Sequence, residues 1–95
     1  MKLSKRMDYC LRCHVDFTEF HLLSVIPKPN KPTAVLLAPR KPEKENAYFA
    51  LILRDNGHWF GSLEELLDTS LELGYISKLG GRILTRRYRR MLHES

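Results

Sequence analysis

Cys10-Leu11-Arg12-Cys13-His14 is the stretch of this chain whose residue types and spacing could do chemistry unaided. A C-x-x-C pair lets two thiolates reach one tetrahedral zinc ion, and His21 with either His14 or His58 would complete four ligands. The same five residues match the C-x-x-C-H string that attaches haem c through thioether bonds, with the histidine as axial ligand. Haem attachment of that kind belongs to exported proteins, and Met1 to Arg6 is not followed by the apolar segment of a signal peptide. Zinc lacks the second close pair from which structural sites usually draw their ligands. The plain alternative is two small free thiols in a reducing compartment, where a disulfide between them would be unusual. No cofactor is expected, and zinc at Cys10, Cys13, His21 and His14 is the one metal site left open.

Catalytic chemistry has less support. The order Cys10, Cys13, His21, Pro27 resembles the opening of HNH nucleases, yet no paired catalytic histidine, metal-binding asparagine or second cysteine pair follows it. Cys13, His14 and Asp16 are neighbours along the chain, which does not make them face one another. The chain has no G-x-S-x-G elbow, no phosphate-binding Walker loop and no H-E-x-x-H helix. It reads as a non-enzymatic protein.

Binding chemistry is concentrated at the other end. Arg82, Arg86, Arg87, Arg89 and Arg90 put five guanidinium groups within nine residues, with no acid before Glu94. A guanidinium fork matches two phosphate oxygens at once, so this run suits a nucleic-acid backbone. Lys78 extends it upstream, and Tyr88 lies among the arginines, where it could stack on an exposed base or, by helical spacing, belong to the core. The competing reading is a solvated helix whose arginines pair with acidic side chains of the chain itself or of a homodimer partner.

These residues need elements to position them. Leu84, Tyr88, Met91 and Leu92 recur at helical offsets with the arginines on the opposite arc, which predicts a basic amphipathic helix near 82–93 after a break at Gly80-Gly81. Upstream, Ser62-Leu63-Glu64-Glu65 has the form of a capping box, with the serine hydroxyl on the Glu65 amide and the Glu65 carboxylate reaching back to the Ser62 amide. The helix it opens, near 63–73, carries Leu63, Leu66, Leu67 and Leu71 on one side and Glu64, Glu65, Asp68 and Glu72 on the other. Gly74 is placed to end it in the left-handed conformation.

Ala47 to Leu53 is apolar on both faces, a central strand by composition, and Asn56-Gly57 can make the two-residue turn that returns the chain as His58-Trp59-Phe60. Thr33 to Ala38 is a further strand bracketed by prolines, and Arg40 to Glu45 reads as a solvated connector. The N-terminal third fits a short helix followed by an extended segment from Phe17 to Ile26. Lys2, Lys5, Arg6, Lys28, Lys31, Arg40 and Lys41 would extend a basic patch if folding gathers them. The expected fold class is α+β: a small antiparallel sheet with a hairpin near 47–60, packed by the helix near 63–73.

Composition sets the frame. The chain has 95 residues, 43% apolar and 28% charged, with a net charge of +5. That is globular composition for one domain, 1–95, with little core to spare for a buried ligand pocket. No apolar stretch approaches the roughly 18 residues needed to span a bilayer, so a cytoplasmic protein without membrane contact is expected. Two functions are consistent with these features. The first is a binding module for nucleic acid or a nucleic-acid-handling complex, acting through the arginine helix. The second is a protein inhibitor of the kind phages and mobile elements use against host nucleic-acid enzymes, anti-CRISPR proteins among them, acting by protein contacts.

Overall fold

The computed structural model describes residues 18–54 and 56–94. The short N-terminal helix expected from the sequence, together with Cys10, Cys13 and His14, lies outside them. The described chain runs as four strands and then two helices: β1 (Phe20–Lys28), β2 (Lys31–Pro39), β3 (Phe49–Leu53), β4 (Asn56–Phe60), α1 (Leu63–Glu72) and α2 (Lys78–Glu94). The strands form one open antiparallel sheet in the order β1-β2-β3-β4. The α+β class, the strand pair near 47–60, the capped helix and the basic C-terminal helix all agree with the sequence reading.

Alternation along the strands sorts the side chains into two layers. Leu23, Ala34, Leu36, Ala38, Phe49 and Leu51 face the helices and form the main core with Leu66 of α1, Leu84 and Tyr88 of α2, and Tyr75 between them. Phe20, Val35, Leu37, Ala50 and Ile52 form a second buried cluster on the opposite face of the sheet. α1 rests on β3 and β4, and α2 on β1.

The connections differ from expectation in instructive ways. β1 and β2 form a hairpin whose turn is Pro29-Asn30: proline fixes φ at the first turn position and Asn30 takes a positive φ of 62° at the second, the type II combination. The prolines around β2 therefore build a turn as well as marking an end. In the second hairpin Leu53 pairs with Asn56 and Phe60 with Phe49, so the chain turns after Leu53, with Arg54 at φ 57°, and Asn56-Gly57 belongs to the returning strand. The earlier turn lengthens the ladder and pairs Phe49 with Phe60. The turn moves by an even number of residues, so Trp59 and Phe60 keep their faces.

Ser62 caps α1 as expected, its hydroxyl accepting the Glu65 amide at 3.2 Å. The Glu65 carboxylate returns to the Gly61 amide, 3.0 Å away, in place of the Ser62 amide. At the other end Gly74 has φ 80°, Tyr75 N–H donates to Ser70 and Gly74 N–H to Leu71, a Schellman closure. Ser70 is the buried polar residue of α1, its hydroxyl donating to the Leu66 carbonyl at 2.8 Å, while Leu71 turns outward.

α2 begins at Lys78 and runs through Gly80-Gly81, where a break was expected. Each glycine costs about 1 kcal/mol in a helix. Ser77 offsets this by accepting the Gly80 amide on its hydroxyl at 3.0 Å and the Gly81 amide on its carbonyl at 2.9 Å, which satisfies first-turn donors.

Candidate nucleic-acid interface

On a helix of 3.6 residues per turn, Lys78, Arg82, Arg86, Arg89 and Arg90 fall within an arc of about 120° and along about 18 Å of axis. All five side chains are exposed. Leu84 and Tyr88, on the opposite arc, are buried against the sheet and fix the direction in which the cations point. Glu64, Glu65, Asp68 and Glu72 are exposed on α1, and among the described residues no ion pair joins them to these arginines. The cationic stripe is thus gathered on one flank, with no ion pair to an α1 carboxylate among the described residues.

Arg87 departs from the group. A β-bulge between Leu22 and Ser24 leaves Leu23 out of the regular ladder, and the Arg87 guanidinium donates to the Leu23 carbonyl at 3.0 Å. Its charge remains near the surface, but its geometry serves the packing of α2 on β1.

Tyr88 belongs to the core. It is 5% exposed, its ring meets Phe49 edge-on at 5.5 Å, and its hydroxyl donates to the Pro39 carbonyl at 2.6 Å. Burial, aided by the Glu43 carboxylate, pushes the phenol up to about 12. No base can stack on it without unpacking the helix.

The other basic residues scatter. Lys31 donates to the Leu73 carbonyl and sits 5.3 Å from the centre of the Tyr75 ring, so it closes α1. Arg40, Lys41 and Lys44 lie on the β2–β3 connection at the rim of a cleft of about 520 Å³. Trp59 and Tyr48 line that cleft, outside the core, which residue type alone does not foretell. Tyr48 in a run apolar on both faces reads as a core residue. The signal that could have found it is the register, which sets Trp59 opposite Ala50 and beside Tyr48 on the sheet face turned from the helices.

A second groove of about 520 Å³ separates the helices, with Glu64 and Asp68 on one wall, Lys78 and Arg82 on the other and leucines between. For metal binding, His21 and His58 occupy the two outer strands, about 14 Å apart at three strand spacings, so they cannot share one ion. Burial, then the Arg40 charge, lowers the His21 pKa from its ordinary value and favours the neutral ring. Groups of three or more metal-ligating side chains are absent among the described residues. No described helix is long and apolar enough to cross a membrane. Compared with protein families, curated proteins and solved structures, the chain finds no match.

Proposed function

We propose that this protein is a non-enzymatic module that binds the phosphate backbone of nucleic acid, alone or within a nucleic-acid-handling complex, through Lys78, Arg82, Arg86, Arg89 and Arg90. The observation that carries this reading is the display of these cations on one uncovered arc of α2. Guanidinium groups left unpaired beside an exposed acidic helix keep their charge for a partner, and a row of them along about 18 Å spans several phosphates. Such contacts act mainly through counterion release and carry little sequence information. Glu64 and Asp68 of α1 face Lys78 and Arg82 across the inter-helix groove, so the polyanion would lie towards Arg86, Arg89 and Arg90. In an electrophoretic or anisotropy titration, wild type should bind duplex or single strand at low salt. R86E/R90E, whose sites are exposed, should fold normally and lose that binding. Unchanged binding by the variant would refute the assignment.

A second reading is favoured by one observation: Leu79 and Ile83 are exposed large apolar residues bordering Arg86 and Arg90. Apolar side chains interleaved with arginine suit a protein surface, as in an inhibitor of phage or mobile-element type that engages a host nucleic-acid enzyme. Purified protein that ignores DNA and RNA yet co-elutes with such an enzyme after nuclease treatment would decide for this second reading.

A further inference from the structure

Trp59 is 53% exposed and Tyr48 41%, although both sit on a sheet face whose centre is fully buried. Their rings are held and not left to wander. They meet edge to face at 4.8 Å, and Tyr48 in turn packs on Phe20 with centroids 5.4 Å apart. Gly57, two residues back on the same face of β4, makes room for the indole: a Cβ there would stand 3.2 Å from Cζ2 of Trp59. A pre-positioned, half-exposed indole on an edge strand is a stacking surface with little rotamer freedom left to lose on binding.

The cleft beside it supplies the complementary chemistry. Among the described residues Arg40, Lys41 and Lys44 line it against the Glu19 carboxylate, which makes that part of the rim net positive. Asn46 adds an amide that can both donate to and accept from the edge of a ring. A ligand that satisfies this set has a flat π face and a negative charge close beside it. A nucleobase with its adjoining phosphate has both. A duplex hides its base faces, an acidic peptide has no need of the indole, and a lipid headgroup has no flat π ring to stack.

We infer that this cleft is a single-stranded nucleic-acid subsite, in which one base stacks on Trp59 and Tyr48 and its neighbouring phosphate meets Arg40, Lys41 and Lys44. The inference rests on the proposed nucleic-acid function and adds to it a preference for unpaired strands. The cleft opens on the sheet face turned from the helices, so it is a surface separate from the cationic arc of α2.

Trp59 is the only tryptophan in the chain, so its intrinsic emission reports on this site alone. The experiment titrates the full chain with oligo(dT) and oligo(rU) of about ten nucleotides and with a duplex of the same length. Tryptophan emission is read in parallel with anisotropy of a label on the nucleic acid. Single strands are expected to quench Trp59 and the duplex to leave it bright. Trp59→Ala should weaken single-strand binding at least about fivefold with duplex binding unchanged, Trp59→Phe should keep most of it, and Lys41→Glu/Lys44→Glu should weaken it as well. Better quenching by oligo(rU) or by oligo(dT) names the polymer and supports the site either way. Single-strand binding that leaves Trp59 unquenched and survives Trp59→Ala overturns the cleft but spares the arginine stripe. Quenching that persists in R86E/R90E supports the cleft even if the stripe fails. Wild type that binds neither form overturns both.

Discussion

Tyr48 and Phe49 are consecutive, and each anchors an edge-to-face aromatic pair, one on each side of the sheet. Phe49 and Tyr88 meet at 5.5 Å and 77°, Tyr48 and Trp59 at 4.8 Å and 81°. The ring geometry is nearly the same and the surroundings are opposite. Phe49 and Tyr88 are 7% and 5% exposed and tie a helix to the sheet, whereas the other two rings border a basic cleft in water. Aromatic geometry alone therefore does not assign a role. Which face a residue takes in the pleat decides whether a ring stabilises the fold or remains available to a partner.

The arginines divide in the same way. Arg86 projects outward, while the next residue, Arg87, reaches a strand carbonyl released by a bulge. One turn of helix thus holds both an outward-facing cation and a structural one.

The sharpest way to break this comparison is to truncate both pairs. Tyr88→Ala should cost about 3–5 kcal/mol in a urea melt, most of the stability a domain of this size has. Trp59→Ala should produce little change in the same experiment. Equal losses would mean that the two pairs are not functionally distinct.

Tyr88→Phe isolates the hydroxyl. It should cost about 1–2 kcal/mol, because the buried Pro39 carbonyl loses its donor. The phenol titrates higher in the folded chain, at about 12, than its ordinary value of 10.0. Between these values the unfolded chain releases the proton first, so this contribution is fully present below about pH 10 and is lost as pH rises towards 12. Stability measured across that window should fall for wild type more steeply than for Tyr88→Phe; parallel curves would contradict the burial of the hydroxyl.

Arg87→Ala should cost about 1–2 kcal/mol of stability with little effect on nucleic-acid affinity, the reverse of R86E/R90E. The smallest effect is expected at the exposed pair, where Trp59→Ala should change folding stability by about 1 kcal/mol or less. A larger loss there would place the indole in the core.

The sequence carried the local features well because their causes are local. Ser62 and Glu65 sit three residues apart whatever the rest of the chain does, and Gly74 is the one residue near the end of α1 that takes a positive φ without strain. The arc of α2 arginines was legible for the same reason: helical periodicity alone separates them from Leu84 and Tyr88. What was not legible depended on partners distant in sequence. The turn before Asn56 wins over the stronger turn residues Asn56-Gly57 because the longer ladder pairs Phe49 with Phe60, and Gly57 leaves room for the indole. Gly80-Gly81 reads as a break by composition, and the cap from Ser77 that carries the helix through it depends on the folded backbone. The role of Arg87 requires knowing that a strand more than sixty residues earlier has a bulge at Leu23. The Trp59 cleft requires the register that sets β4 beside β3, together with the fold of a connector that by composition is only a charged loop.

The proposed role stands or falls with the exposed cations of α2, and the salt dependence of binding tests them most directly. Four or five phosphate contacts should make the logarithm of the binding constant fall against the logarithm of salt concentration with a slope of about −3 to −4. R86E/R90E should flatten that slope by about two contacts or abolish binding altogether. Affinity that ignores salt, or a slope that these reversals leave untouched, would contradict the account.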